Sequence, residues 1–175
     1  MYWIEVNMTL KELINEMDAL EMTGDLSQEI TSLVYDSRRA VPGSLFVALH
    51  GEKTDGAAHI QDAIQRGAVA VVSQTPCGCG GHFPYVQVAN ARRTLAGLAS
   101  RFYGQPSSRL CTMGITGTNG KTTVSFMLRE IFKAAGRRPG LLGTVRYEIG
   151  DRVMPATRTT PESADLQMMF SQMEK

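Results

Sequence analysis

One segment in the second half of the chain combines the residue types and spacing of a phosphate-binding loop. It is the run Gly114-Ile115-Thr116-Gly117-Thr118-Asn119-Gly120-Lys121-Thr122-Thr123. Glycines let the backbone bend so that successive amides face one point, and the N-terminus of a following helix adds partial positive charge there. The Lys121 ammonium can reach the β- and γ-phosphates of a nucleotide, and the Thr122 hydroxyl is placed to ligate Mg²⁺. The sequence therefore predicts a polyphosphate site at this loop.

Two features of the sequence restrict the kind of phosphate loop and the class of protein that the motif predicts. The strict P-loop pattern requires glycine at the position of Ile115, so the match is to the shorter Gly-x-x-Gly-Lys-Thr form. The next predicted strand, residues 141–145, carries no acidic residue that could support Mg²⁺, which disfavours a GTPase or an ordinary kinase. The alternative is a glycine-rich turn with an exposed lysine, but the coincidence of strand, spacing and helix favours phosphate binding.

The elements around the loop predict an α/β unit with a parallel sheet. Residues 110–115 predict a strand, and apolar residues at helical spacing predict a helix over residues 122–135. Residues 141–145 predict a second, parallel strand, and residues 148–152 a hairpin turn. A last helix is predicted to open at Thr160-Pro161-Glu162, capped by Thr160. Two parallel strands are too few for a finished sheet, so we expect this domain to be incomplete.

The first half predicts a separate, smaller α/β domain. Short apolar runs predict strands at residues 32–35, 45–49, 68–72 and 85–88, and helical spacing predicts helices at 9–17, around 60–64, and at 91–103. The first helix opens with the capping box Thr9-Leu10-Lys11-Glu12. The turn-rich run Gly104-Gln105-Pro106-Ser107-Ser108 predicts a boundary, so we expect domains over residues 1–106 and 107–175.

Composition and charge exclude several classes of protein. The chain has 175 residues, 43% apolar and 20% charged, which excludes collagen-like and largely disordered classes. A net charge of +1 provides no general attraction for nucleic acid or anionic membranes. The chain opens without a signal-peptide pattern, and its apolar runs are far shorter than a membrane span, so we expect a soluble cytoplasmic protein.

The three cysteines argue against a disulfide framework. Cys77, Cys79 and His82 lie close together in a glycine-rich loop and offer three ligands for a structural zinc. No fourth ligand is in view, so a plain surface loop is the favoured interpretation.

The loop and several other motifs resemble the Mur ligase superfamily, whose members are ATP-dependent amide-forming enzymes of peptidoglycan precursor synthesis. The matching motifs are Gly117-Thr118-Asn119-Gly120-Lys121-Thr122-Thr123; Asp36-Ser37-Arg38; Val41-Pro42-Gly43-Ser44-Leu45-Phe46-Val47-Ala48; Gly51; Asp55-Gly56; Ala63 through Gly67-Ala68; and Arg158-Thr159-Thr160-Pro161-Glu162 with Asp165-Leu166-Gln167. The first-half motifs point to the ligases that add a third amino acid, diaminopimelate or lysine, to UDP-N-acetylmuramoyl-L-alanyl-D-glutamate. The residues do not distinguish these two amino acids.

The resemblance implies a set of site residues. ATP would be bound by Gly117, Thr118, Asn119, Gly120, Lys121, Thr122 and Thr123, with Lys121 catalytic and Thr122 a ligand of Mg²⁺. The uridine end of the substrate would lie beside Tyr35 and Ser37 and along the loop Glu52-Lys53-Thr54. Arg158, Thr159 and Thr160 would contact the muramoyl-peptide portion, with Arg158 standing where the family often has Asn. From the residues alone, Ser37 also fits a turn after a strand and Thr160 a helix cap.

The resemblance also implies a reaction. ATP would phosphorylate the D-glutamyl carboxylate, and the amine of a diamino acid would attack the resulting acyl phosphate; Lys121 and Mg²⁺ would neutralise charge in the phosphoryl transfer. The family also uses a glutamate, a histidine, a carbamylated lysine and a carboxy-terminal domain that we cannot assign within these 175 residues. We therefore expect an amino-terminal part of such a ligase, which binds small-molecule substrates, forms no amide alone and has no obligate protein partner.

Two other interpretations stay open. One is a stand-alone nucleotide-binding or regulatory module without catalysis. The other is a sibling such as folylpolyglutamate synthase, which shares the ATP loop. The uridine-nucleotide motifs of the first half disfavour the sibling.

Overall fold

A computed structural model of the chain describes residues 8–15, 17–51, 55–76, 78 and 81–174. The chain divides into two compact units, Met1–Tyr103 and Gly104–Lys175. Within the described residues, no helix combines the length and apolarity that crossing a bilayer requires.

The first unit is built on a parallel sheet. Its described strands are β1 (Met8–Thr9), β2 (Ala19–Thr23), β3 (Glu29–Ile30), β4 (Ser32–Val34), β5 (Ser44–Val47), β6 (Ala68–Ser73) and β7 (Tyr85–Val88). Five of them form a sheet in the order β2-β7-β6-β5-β4, in which only the β2–β7 pair is antiparallel. Strands β1 and β3 form a separate antiparallel pair. The four parallel strands are those predicted from the apolar runs, because parallel strands covered on both faces favour continuous apolar sequence.

Helices and short turns follow the strands of the first unit. They are α1 (Leu10–Ile14), α2 (Ile60–Gln65), α3 (Ala91–Phe102) and the 3₁₀ turns Ser37–Arg39 and Gly56–His59. The predicted capping box is confirmed, since the Thr9 amide donates to Glu12 Oε2 at 2.8 Å and the Glu12 amide to Thr9 Oγ1 at 3.3 Å. Helix α1 ends at Ile14, earlier than predicted, so Met17 lies outside it. The predicted apolar stripe of α3, including Leu95 and Leu98, is buried in the core.

The second unit contains α4 (Lys121–Ala134), β8 (Leu141–Leu142), β9 (Arg146–Ile149), β10 (Arg152–Pro155), α5 (Ser163–Met173) and the 3₁₀ turn Pro106–Ser108. Its three strands form an antiparallel sheet in the order β10-β9-β8. The predicted helix after the glycine-rich loop is confirmed and begins one residue earlier, at Lys121. The predicted hairpin is also confirmed, and its turn has Gly150 at a φ of +58°.

The strand predictions around the loop are wrong for this structure. Residues 110–115, all of which are described, form no strand, and only Leu141–Leu142 of residues 141–145 is extended in a sheet. Leu142 pairs with Tyr147 in an antiparallel ladder instead of lying beside residues 110–115. A strand is completed by hydrogen bonds from neighbours distant in sequence, and no described segment supplies a parallel neighbour to residues 110–115.

The start of the last helix also differs from the prediction. Glu162 is the N-cap of α5, so Thr160 and Pro161 precede the helix and Thr160 is not its cap. The amide of Leu166 donates to the Glu162 carbonyl at 2.9 Å, which makes this the first turn of the helix. The Glu162 carboxylate instead accepts a hydrogen bond from Arg158 Nη1 at 3.0 Å.

Candidate phosphate loop and substrate-contact residues

The glycine-rich loop leads directly into the first turn of α4. Gly120 is the N-cap of this helix, with a φ of +79°, and no side chain caps the helix at that position. Gly117 has a φ of +151°. A positive φ favours glycine over residues with a Cβ, which explains the glycine at position 120. The N-terminal amides of α4 are therefore left without a side-chain cap, which is the arrangement that binds anions at helix starts.

The Lys121 ammonium lies across the same loop. Its Nζ donates to the Gly117 carbonyl at 2.6 Å and lies 3.5 Å from the Thr118 carbonyl oxygen. The side chain therefore folds back over the loop that precedes its own helix. A phosphate oxygen that bound Nζ would take the place of a main-chain carbonyl as its acceptor.

The other predicted loop residues differ in burial. Thr118, Asn119 and Thr123 are exposed, whereas Thr122 is half-buried and its carbonyl accepts a hydrogen bond from Ser125 Oγ at 2.8 Å. No group of three or more metal-ligating side chains occurs in the described part of the chain. Mg²⁺ in phosphate sites is commonly held by one or two protein oxygens together with phosphate oxygens and water, so a single ligand at Thr122 fits this chemistry.

The two predicted uridine contacts of the first unit follow the carboxyl end of β4. Tyr35 is half-buried, and the Arg39 guanidinium lies 5.9 Å from the centre of its ring. Ser37 is buried, and its hydroxyl hydrogen-bonds the Asp62 carboxylate, which lowers the pKa of Asp62 with help from Arg66. In parallel α/β sheets, ligands bind at the carboxyl ends of the strands, so Tyr35 and Ser37 follow the ligand-binding edge.

Glu52, Lys53 and Thr54 lie outside the described residues, as do Cys77 and Cys79 of the cysteine-rich loop. The base of the Glu52-Lys53-Thr54 loop is described. There His50 and Asp55 form an isolated antiparallel bridge, with His50 Nδ1 lying 3.7 Å from Asp55 Oδ1. This base follows β5, so it too extends from the carboxyl edge of the sheet.

Arg158, Thr159 and Thr160 form an exposed segment of the second unit. The Tyr147 hydroxyl donates to the Arg158 carbonyl at 2.5 Å and accepts from the Arg158 amide at 3.0 Å. Thr144 Oγ1 lies 3.4 Å from Thr159 Oγ1. The Arg158 guanidinium is paired with Glu162, so its positive charge is partly neutralised within the segment.

Sequence reasoning missed a charged cluster next to α4. The Glu148 carboxylate on β9 accepts hydrogen bonds from Arg146, at 2.7 Å, and from Arg129 on α4, whose guanidinium also contacts Glu130. Burial raises the pKa of Glu148, but the hydrogen bonds from Arg146 and Arg129 outweigh burial and leave it below its usual value. The Arg146 guanidinium also lies over the ring of Phe126, 5.0 Å from its centre. The alternation Arg146-Tyr147-Glu148 places Arg146 and Glu148 on one strand face, which was the available signal.

The first unit carries a parallel α/β sheet, and in the second unit a glycine-lysine-threonine loop opens a helix, a local pattern found in nucleotide-binding proteins. Comparison with known protein families gives a more specific assignment. Residues 29–103 match the model described as "Mur ligase family, catalytic domain", and residues 115–175 match the model described as "Mur ligase middle domain". The chain belongs to the Mur ligase family.

Relatives cover most of the chain. A ligase of Caldanaerobacter subterraneus subsp. tengcongensis named UDP-N-acetylmuramoyl-L-alanyl-D-glutamate--2,6-diaminopimelate ligase is 47% identical over 87% of this chain and 32% of its own length. The protein of the same name from Alkaliphilus metalliredigens is 42% identical over 95% of this chain and 34% of its own length. The chain therefore spans about a third of the length of the curated relatives it matches.

Solved structures show the same fold. A solved structure titled as that of a UDP-N-acetylmuramoyl-L-alanyl-D-glutamate--2,6-diaminopimelate ligase aligns with a TM-score of 0.73 and 24% identity, over 95% of this chain and 33% of that chain. A MurF structure from Acinetobacter baumannii aligns with a TM-score of 0.62 and 22% identity, over 95% of this chain and 33% of that one. At these identities the likeness supports the α/β fold class predicted from the sequence.

Proposed function

We propose that this chain forms the nucleotide-substrate domain and the ATP loop of a ligase that joins diaminopimelate to UDP-N-acetylmuramoyl-L-alanyl-D-glutamate. The observation that carries the proposal is the 47% identity with a relative of that name over 87% of the chain, which includes the phosphate loop. Because the chain spans about a third of such relatives, we propose that these residues bind ATP and the nucleotide-linked dipeptide without forming the amide. ATP is a cytosolic nucleotide, so we assign the activity to the cytoplasm.

The second unit supplies the groups for the triphosphate. The α4 amides, left without a side-chain cap, and the Lys121 ammonium together provide neutral donors and one positive charge at a single loop. Bound ATP would supply the phosphoryl group that activates the substrate carboxylate, and Mg²⁺ would neutralise charge on its phosphates. Gly117, Thr118, Asn119, Gly120 and Thr123 would line the loop, Lys121 would orient and neutralise the transferred phosphate, and Thr122 would ligate the metal.

The first unit supplies the groups for the uridine nucleotide. Tyr35 and Ser37 follow β4, and His50 and Asp55, which flank Glu52, Lys53 and Thr54 in the sequence, follow β5, so both described segments extend from the carboxyl edge of the sheet. In the second unit we assign contacts with the muramoyl-peptide portion to Arg158, Thr159 and Thr160. Thr159 and Thr160 have exposed hydroxyl side chains, which suit the amide and carboxylate groups of a peptide.

The experiment that tests this proposal is calorimetric titration of the wild-type chain and Lys121→Ala with ATP and Mg²⁺ and, separately, with the nucleotide-linked dipeptide. A hydrogen bond from an ammonium to a charged acceptor contributes about 1.5–3 kcal/mol, so ATP affinity should fall by about ten- to a hundredfold. The dipeptide affinity should stay unchanged, because neither Tyr35 and Ser37 nor the segment 158–160 includes a residue of the loop.

The matched control is Lys133→Ala. Lys133 lies in the last turn of the same helix and is exposed, so its loss removes the same charge at the opposite end of α4. ATP affinity in this variant should remain within about twofold of the wild type. Equal affinities of wild type and Lys121→Ala for ATP would contradict the assigned role of the loop, and a wild-type chain that binds neither ligand would contradict the proposed function.

A further inference from the structure

Tyr147 makes an unusual pair of hydrogen bonds to a single residue of the second unit. Its hydroxyl donates to the carbonyl of Arg158 at 2.5 Å and accepts from the amide of Arg158 at 3.0 Å. A phenol has one proton to donate and lone pairs to accept, so these bonds use both capacities on one peptide position. The hydroxyl therefore fixes the direction in which the backbone leaves Arg158 toward Thr159 and Thr160.

The Tyr147 side chain stands on a firmly supported strand. The residue is 3% exposed and lies in the central strand β9, paired with Leu142 on one side and Met154 on the other. The next residue, Glu148, is bonded to Arg129 of α4, the helix that begins at the phosphate loop. Successive side chains of a strand point to opposite faces, so β9 is bonded to α4 through one face and to the Arg158 segment through the other.

The segment that receives these bonds is irregular, and its side chains also form the Arg158–Glu162 ion pair and the contact of Thr159 with Thr144. Residues 156–162 belong to no helix or strand, and the side chains of Arg158, Thr159 and Thr160 are exposed. Holding an exposed segment in one conformation removes an entropic cost that binding would otherwise have to meet. A fixed anchor at Arg158 is therefore suited to a segment that must present its neighbours to a ligand.

From this geometry we propose that Tyr147 is a positioning residue for substrate binding: its hydroxyl fixes the Arg158 backbone so that Thr159 and Thr160 are presented to the peptide portion of the nucleotide-linked substrate. This inference rests on the proposed function, since it takes the ligand of Thr159 and Thr160 from there. Tyr147 itself need not touch the ligand, because its hydroxyl is occupied by the main chain of Arg158.

The test uses the full chain with the substitution Tyr147→Phe, which keeps the buried ring and removes only the hydroxyl. Amide hydrogen exchange measured by NMR should become about tenfold faster at Arg158, because its N–H loses its acceptor. Affinity for the nucleotide-linked dipeptide, measured by calorimetry, should fall by about five- to tenfold, the usual effect of losing one hydrogen bond. Affinity for ATP and Mg²⁺ should stay within twofold, which also reports that the second unit is folded.

The matched control is Tyr85→Phe. Tyr85 is a buried tyrosine of the first unit whose hydroxyl donates to the Thr75 carbonyl at 2.7 Å, so the variant loses a similar bond elsewhere. In Tyr85→Phe, the amide hydrogen of Arg158 should exchange at the wild-type rate.

Three results would overturn the inference. Dipeptide affinity in Tyr147→Phe equal to that of the wild type would overturn it and leave the proposed function standing. An Arg158 amide in the wild type that exchanges as fast as in an unfolded chain would also overturn it, without any need for the variant to fold. A wild-type chain that fails to bind the dipeptide would instead remove the proposed function and, with it, this role of Tyr147.

Discussion

Glu148 shows how a single buried carboxylate can hold a small unit together. Its side chain is 6% exposed and is bonded to Arg146 of its own strand and to Arg129 of α4. A buried charge is costly unless it is paired, and removing one partner leaves the others uncompensated. The two guanidinium groups supply that compensation, so the pairing connects the hairpin to the helix that follows the glycine-rich loop.

Glu148→Gln should destabilise the second unit by about 1–3 kcal/mol at pH 7. This is less than the cost of breaking a fully buried ion pair, because the partner Arg146 is partly exposed and its charge is screened by water. The pKa of Glu148 is depressed below its ordinary value of 4.5, so the ionised form contributes stability above that pH. This contribution is lost as the pH falls through the lower, folded-state pKa. Denaturant unfolding of α4, followed at pH 7, 5, 4 and 3, should show wild type and variant converging in acid.

The control for this prediction is Glu130→Gln. Glu130 also contacts Arg129, but its side chain is 64% exposed, so its loss should change stability by less than about 0.5 kcal/mol. Parallel stability profiles of wild type and Glu148→Gln down to pH 3 would show that the carboxylate does not act through its charge.

Among the elements, α4 depends on the backbone conformation of the residue before it. Gly120 has a φ of +79°, whereas the φ of Gly114 lies outside the left-handed region, and a Cβ at either position would meet no atom within 4 Å. The two glycines therefore offer the same open space but differ in backbone conformation, which isolates the cost of a positive φ.

Gly120→Ala should destabilise the start of α4 by about 1–2 kcal/mol and weaken ATP binding, because an L-residue is strained in the left-handed region. Gly114→Ala should be neutral or slightly stabilising, since it restricts the unfolded chain at a position without strain. Hydrogen exchange at the first turn of α4 and ATP titration measure both effects. Equal behaviour of the two variants would mean that the loop relaxes without cost.

Comparison of the predicted and observed elements shows which elements can be predicted from a short stretch of sequence. Helix α4 was predictable because its apolar spacing and the preceding Gly120-Lys121 lie within one short window. Residues 110–115 have strand-like sequence but form no strand, because a strand is completed by distant partners. The Arg129–Glu148 pair and the contact of Tyr147 with Arg158 could not be predicted for the same reason, because each joins residues that are far apart in the sequence. The site residues themselves stay predictions, since nothing in the fold identifies their ligands.

At the scale of the whole molecule, the two units differ in how much core they bury. In the described residues the buried apolar side chains belong to the first unit, with the exceptions Pro106, Leu141, Tyr147, Ile149 and Ala164. Helix α4 has no buried residue, and Val124, Met127 and Ile131 on it are between 43% and 62% exposed. Apolar burial is the main source of folding free energy, so the first unit should be the more stable one.

A pair of truncations tests this difference. Val71→Ala, in the fully buried centre of β6, should destabilise the first unit by about 1–3 kcal/mol. Ile131→Ala, on α4, removes an exposed side chain and should change stability by less than about 0.5 kcal/mol. Hydrogen exchange followed by mass spectrometry reports each unit separately, and protection of the α4 amides equal to that of β6 would contradict the assigned order of stability.

The Arg101 side chain adds a constraint on how the first unit is assembled. Its Nη1 donates to the main-chain carbonyls of Glu12, at 3.0 Å, and of Leu13, at 3.3 Å, and also to that of Asn15, at the end of the five-residue helix α1. A helix this short is not stable by itself. During synthesis on a ribosome, α1 therefore stays without this anchor until the chain has been extended through Arg101. A nascent chain that ends before the last turn of α3 should leave its first helix open to proteases.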